Sequence, residues 1–262
     1  MKTAMTISAL ILGAMISLTA AAETPEEKGL AIAKQADVSD TGWVDQVADL
    51  TMKLKNKQGE ESSRELQVKT LEVDGDGDKS LTVFDSPKDI KGTAFLSFTH
   101  ALTPDDQWLY LPALKRVKRI SSANKSGPFV GSEFAYEDLT SQEVEKYSYK
   151  WLRDEALDGR DTFVVEAYPA YENSGYTRQV VWIDKAMYRP LKIEYYDRKD
   201  ALLKTLVSSG YEQYEGKYWR PASMFMENHI TGKSTLLTWT NYRFGTGLKG
   251  RDFDKNSLKR AR

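Results

Sequence analysis

The chain has 262 residues, no cysteine, and 37 basic side chains against 38 acidic ones. A chain of this length buries a core without disulfides, and its balanced charge speaks against nucleic acid, whose phosphates select net basic domains. The missing cysteine also excludes the lipid-modified residue of a bacterial lipoprotein.

Residues 1–22 read as an export signal. Met1-Lys2-Thr3 is a short positive start, Met5 to Leu18 is apolar apart from small or hydroxyl residues, and Ala20-Ala21-Ala22 fits the small-x-small cleavage rule. Cleavage is expected after Ala22, giving a soluble periplasmic protein in which only Lys2 is lost among charged residues. No later stretch approaches the roughly 18 apolar residues of a membrane span. With no composition break or long linker, 23–262 is expected to be one domain.

Thr24 and the acidic Glu26 and Glu27 open a helical pattern over 25–36, with Leu30, Ile32 and Ala33 on its apolar side. After Gly42 the period becomes two. Leu50, Met52 and Leu54 alternate with polar residues, as do Leu66, Val68 and Thr70, then Leu81 and Val83, then Ala94, Leu96 and Phe98. The alternation returns at Phe163, Val165 and Ala167, at Leu191, Ile193 and Tyr195, at Met224 and Met226, and along 234–244. Lys57-Gln58-Gly59, 74–78, Asn173-Ser174-Gly175 and Glu215-Gly216 supply turns. The expectation is a mainly β domain of half-buried antiparallel strands with a few helices.

Apparent catalytic and metal motifs dissolve on inspection. Asp74, Asp76 and Asp78 have calcium-loop spacing, but Lys79 stands where the loop needs Gly, so a hairpin turn is expected, with weak calcium binding left open. Gly232-Lys233-Ser234-Thr235 ends like a phosphate loop, yet Glu227 occupies the first glycine position. His100 and His229 form no metal-spaced pair, and no Gly-x-Ser-x-Gly elbow exists. Glu133, Glu137 and Asp138 have the chemistry for acid–base work, but scattered surface acids are the norm. Neither a catalytic residue, a metal site nor a cofactor is expected.

The most informative run is QWLYLPALKRVKRI, from Gln107 to Ile120. An apolar strand runs through Pro112 into Lys115, Arg116, Lys118 and Arg119. Two readings are open: greasy surface beside charge that holds an acyl chain and its headgroup or a partner, or a solvated basic guard on a sheet edge.

Six segments in order, KGTAFL (Lys91 to Leu96), QWLYLPALKRVKRI, GSEFAYEDL (Gly131 to Leu139), WID (Trp182 to Asp184), PLKIEYYD (Pro190 to Asp197) and TGKST (Thr231 to Thr235), resemble the LolA-like outer-membrane lipoprotein-sorting proteins. The branch associated with RND-type lipid exporters is the most similar. The resemblance implies an incomplete, strongly curved antiparallel β-barrel capped by helices around an apolar cavity. It also implies non-catalytic carriage of a lipid's or lipoprotein's acyl chains, an inner-membrane RND-type permease as partner, and transient membrane contact. A structural or regulatory module that engages an envelope membrane protein is the alternative, and a cavity filled by its own side chains would favour it.

On this reading the concave, lipid-binding face is formed by Met52, Leu54, Leu66, Val68, Leu81, Val83, Leu96, Phe98, Val165, Ile193, Met224 and Met226. Between the pairs Trp108 with Tyr110 and Leu109 with Leu111, the leucines are expected inward. A register error of one residue would invert a whole strand.

Overall fold

A computed structural model describes residues 22–256 and 258–260. The expected export segment lies almost wholly outside the described residues.

The expected helix forms as α1, Pro25–Val38. Its start is fixed by a reciprocal cap: the Glu27 amide donates to Thr24 Oγ1 (3.1 Å) and the Thr24 amide to Glu27 Oε2 (2.8 Å). Its buried residues are Gly29 and Ile32, while Leu30, expected on the apolar side, is exposed. Gly29 is the contact point. A Cβ there would stand 2.7 Å from the Trp151 backbone nitrogen, so only glycine lets the helix lie against that strand.

The strands are β1 (Asp45–Lys55), β2 (Glu61–Leu71), β3 (Lys79–Ser86), β4 (Ala94–Phe98), β5 (Asp106–Leu111), β6 (Arg116–Ile120), β7 (Tyr147–Leu157), β8 (Arg160–Pro169), β9 (Tyr176–Asp184), β10 (Pro190–Asp197), β11 (Leu202–Ser209), β12 (Glu212–Tyr214), β13 (Tyr218–Arg220), β14 (Ser223–Asn228) and β15 (Ser234–Phe244). Thirteen of them make one antiparallel sheet in the order β6-β5-β4-β3-β2-β1-β15-β14-β11-β10-β9-β8-β7, and β12 pairs with β13 as a separate ribbon. Two meanders are thus joined where β1 meets β15. The sheet is curved but not closed, since β6 and β7 remain free edges. Residues 121–146, with several short 3-10 turns, run as a strap from one edge to the other. Among the described residues α1 is the one α-helix, rather than several capping helices.

Register settles which side chains share a face. Leu66 pairs with Leu50 and Phe84, Val68 with Ala48 and Thr82, Thr82 with Phe95, and Phe95 with Leu109. The inner face of β3 and β4 is therefore Thr82, Phe84, Phe95 and Ser97. Leu81, Val83, Leu96 and Phe98, expected inside, lie on the opposite face, in a second cluster with Phe253 and Leu258 of the C-terminal segment. The physical reason is that β3 and β4 are buried on both sides, so apolar residues occupy both phases of the alternation.

Candidate functional site

The inner face of the sheet, α1 and the strap enclose a hollow of about 1250 Å³. Its apolar wall includes Leu50, Met52, Val68, Phe95, Val165, Val181, Ile193, Leu206, Met224 and Leu237. The strap closes one end. Phe129 packs at a tilt against Phe84 and Phe95 with ring centres 5.8 and 5.3 Å away, and Phe134 is also buried. Arg64, inward-facing on β2, donates to the Val130 carbonyl and ties the strap to the sheet.

Polar groups inside the strap are paired. Lys204 Nζ lies 2.6 Å from Asp138 Oδ2 and 3.0 Å from the Glu133 carbonyl, with both side chains almost fully buried. The Tyr176 hydroxyl donates to Asp138 Oδ1 at 2.7 Å, and burial pushes that phenol well up. Glu137 accepts from the Gly175 amide (2.8 Å), Ser174 Oγ (2.9 Å) and the Tyr171 hydroxyl (3.2 Å), and burial raises its carboxyl. The acids at 137 and 138 are thus interior groups that fix the strap, not surface acids.

The other end is a polar mouth formed by 37–44, 72–78, Ala101 and 141–145, with Arg189 and Arg220. Asp40 accepts from Arg189 (3.0 Å) and Arg220 (2.7 Å). The aspartates of 74–78 sit in the expected turn between β2 and β3, and Asp76 and Asp78 bind other protein groups rather than one another. Asp76 contacts His100 Nδ1 (2.8 Å), and chiefly that bond draws its carboxyl down to about 2. Asp78 accepts from Ser141 Oγ (3.0 Å), and burial pushes it up to about 6. Burial, with Asp78 nearby, pushes Glu143 up to about 7. Among the described residues no cluster of three or more His or carboxylates is arranged to hold a metal.

Of the residues expected to bind lipid, Met52, Val68, Val165, Ile193 and Met224 line the hollow. Leu54, Leu66, Leu109, Leu111 and Met226 belong to the same inner cluster, packed where the strap fills the concavity. Trp108 and Tyr110 pack on the other face, so the leucines of β5 do point inward. Sequence reading missed Val181, Leu206 and Leu237, which share the inward face with Gln179, Ser208 and Trp239; in β9 burial on both faces hides the phase, whereas Leu206 and Leu237 sit in strands whose alternation is weak.

None of Lys115, Arg116, Lys118 and Arg119 lines the hollow. Instead of one basic turn, they form a left-handed residue, Lys115 (φ 49°), and the exposed edge strand β6. Register puts Arg116 and Lys118 opposite the inward Leu111 and Leu109, and Arg119 opposite the outward Trp108, where it pairs with Asp106. This hairpin tip lies at the Ala94 end of β4, whereas the mouth lies at the Phe98 end. An acyl site with an adjacent basic headgroup site is therefore not what the fold builds.

A family model described as "-like: Uncharacterized protein" matches residues 76–260. No functionally curated protein matches. Among solved structures, one described as an outer membrane lipoprotein-sorting protein domain, from Vibrio parahaemolyticus, is 61% identical, with 89% of this chain and 99% of that one covered and a TM-score of 0.88. A DUF1329 family protein from Desulfovibrio piger is 32% identical over 90% of this chain and 99% of its own (TM-score 0.85). A LolA superfamily protein from Nitrosomonas europaea, 21% identical over 87% and 98%, shares the fold with a TM-score of 0.70. The open curved sheet with the strap across it is the fold of the LolA superfamily protein, and the identity over nearly the whole of the first two relatives shows that the chain belongs to their family, that of the outer membrane lipoprotein-sorting protein domain and the DUF1329 protein.

Proposed function

We propose that the protein is a non-catalytic periplasmic carrier that holds the acyl chains of a lipid or lipoprotein in the hollow and delivers them towards the outer membrane. One observation carries this reading: about 1250 Å³ left open against an apolar wall. Burial of a methylene there contributes about 0.8 kcal/mol, so a long chain binds firmly yet reversibly. Met52 and Met224 adapt to chains of different shape because the thioether side chain is unbranched and polarizable. Membership in the sorting family supports the same direction of transport. An RND-type permease is the proposed donor, and β6, a free edge with exposed basic residues, is the proposed place where it or a membrane touches the carrier.

The test is uptake of a fluorescent fatty acid by the parent and by Val181→Trp and Leu206→Trp, which fill the hollow from β9 and β11 on either side of Ile193. Both are expected to lose uptake while circular dichroism stays parental. Parental affinity in both folded variants would sink the reading. Native mass spectrometry of the purified protein identifies the resident cargo, and N-terminal sequencing after fractionation tests processing to Glu23.

A further inference from the structure

Resting on the carrier reading, we propose that the hollow selects a lipid with an uncharged oxygen-bearing group, a hydroxyl or an ester carbonyl, seated against a row of polar side chains beside the strap. Strand pairing puts Tyr149 of β7, Ala167 of β8, Gln179 of β9, Tyr195 of β10 and Lys204 of β11 side by side on the inner face. The first four line the hollow. Towards the mouth the next inward row is Val165, Val181, Ile193 and Leu206, so the wall is apolar there and turns polar one row further in. Lys204, at the end of the polar row, is bound to Asp138 (2.6 Å) and to the Glu133 carbonyl (3.0 Å). The row therefore offers no free charge, and a charged group placed there would lose its hydration without gaining a counter-ion.

Two members of that row have hydroxyls with nothing to bind. Tyr195 is 5% exposed and Tyr149 9%, and among the described residues neither hydroxyl has a hydrogen-bond partner. The neighbouring tyrosines are satisfied: Tyr176 donates to Asp138, while Tyr171 donates to Glu137 (3.2 Å) and meets the Tyr147 hydroxyl (3.2 Å). Burial pushes the phenols of Tyr149 and Tyr195 up, so each keeps a proton to donate. Gln179, which meets the Tyr147 hydroxyl, adds a carboxamide with further donors and acceptors. Water entering an empty hollow satisfies such groups, whereas a hydrocarbon that displaces the water strands them. A ligand that brings its own oxygen to the row avoids that cost, which makes Tyr149, Gln179 and Tyr195 specificity-determining residues.

The experiment uses the whole chain and three probes: diphenylhexatriene, a fluorescent hydrocarbon without oxygen, and decanol and methyl decanoate, which compete with it. Parent, Tyr149→Phe, Tyr195→Phe and the double variant are compared, since each substitution removes only a hydroxyl. Each single variant should weaken the oxygenated probes about fivefold relative to diphenylhexatriene, the weight of one neutral hydrogen bond, and the double variant more. A loss confined to decanol assigns a hydroxyl to the row and a loss confined to methyl decanoate assigns an ester carbonyl, and either supports the proposal. Unchanged relative affinities in variants that circular dichroism shows to be folded would overturn the oxygen assignment and leave the carrier reading standing. Failure of the parent to bind any of the three would overturn the carrier reading and this inference with it.

Discussion

The two wings of the sheet follow the same inward alternation, yet one is largely solid, bordering the hollow only along Val68, Thr82 and Phe95 and their neighbours, and the other is hollow. Across β2–β6 the inward residues Leu66, Phe84, Phe95, Leu109 and Ile120 meet the strap, whose Phe129 and Tyr136 pack edge to face with ring centres 5.7 Å apart. That wing is also covered outside by Phe253 and Leu258. Across β8–β11, β14 and β15 the inward Val165, Val181, Ile193, Leu206 and Leu237 border open space. Alternation therefore encodes which side chains face in, while the landing place of one connection decides whether they meet the chain itself or a ligand.

The sharpest way to break this comparison is to truncate one side chain in each wing. Phe129→Ala, in the solid wing, is expected to cost about 4 kcal/mol, the transfer of a buried ring plus the cavity it leaves. Val181→Ala, in the hollow wing, should cost about 1 kcal/mol, because its neighbours on one side are already missing. Denaturant unfolding measures both. Equal costs would mean that the hollow is not a real difference between the wings.

Between the wings stands the buried pair of Lys204 and Asp138, which pins the strap to β11. Lys204→Met should cost about 3 kcal/mol, because it leaves a carboxylate in the interior without its cation. Adding Asp138→Leu should recover part of that loss. A double variant no more stable than Lys204→Met would show that the strap needs the polar tie and not only filled space.

Much of the fold was legible because its cause is local. The capping box gave the start of α1, and two-residue periodicity gave β1, β2, β10 and β14 with the correct inward face. It failed at β3 and β4, where burial on both faces erases the phase and the C-terminal segment that does the covering is about 170 residues away in sequence. The candidate site was half legible. Met52, Val68, Val165, Ile193 and Met224 could be read from alternation, but the mouth could not: Asp37, Glu72, Asp78 and Glu143 come from three separate segments, and only the tertiary structure brings them to one rim. The basic run was legible as charge beside an apolar strand, but only the register places it on the edge strand β6, away from the mouth.

The mouth sharpens the comparison through pH. Asp78 and Glu143 bind a proton more tightly in the folded chain than in the unfolded one, chiefly because of burial. Their contribution is therefore full below the ordinary carboxylate range and is lost as pH rises through about 6 and about 7 respectively. Stability is expected to fall by roughly 2 kcal/mol between about pH 4 and pH 7, and Asp78→Asn should flatten the lower part of that fall. Asp76 has the opposite sign: drawn down to about 2, it stabilises above its ordinary value and loses that contribution as pH falls towards about 2. Stability rising steadily from pH 4 to pH 7 would contradict the buried, proton-binding mouth.

The smallest effect is expected at the outer edge of the solid wing. Arg119 is 68% exposed in its ion pair with Asp106, and Arg116 is exposed on β6. Exposed pairs contribute about 0.5 kcal/mol, so Arg116→Ser with Arg119→Ser should leave the unfolding midpoint within error of the parent. Binding to vesicles of anionic lipid at low salt is the informative readout. A loss of binding that added salt reproduces in the parent would make β6 a contact surface, at the end of the molecule away from the acidic mouth. Unchanged binding would reduce the four charges to guards of an unpaired strand, whose exposed amides and carbonyls would otherwise recruit a second sheet.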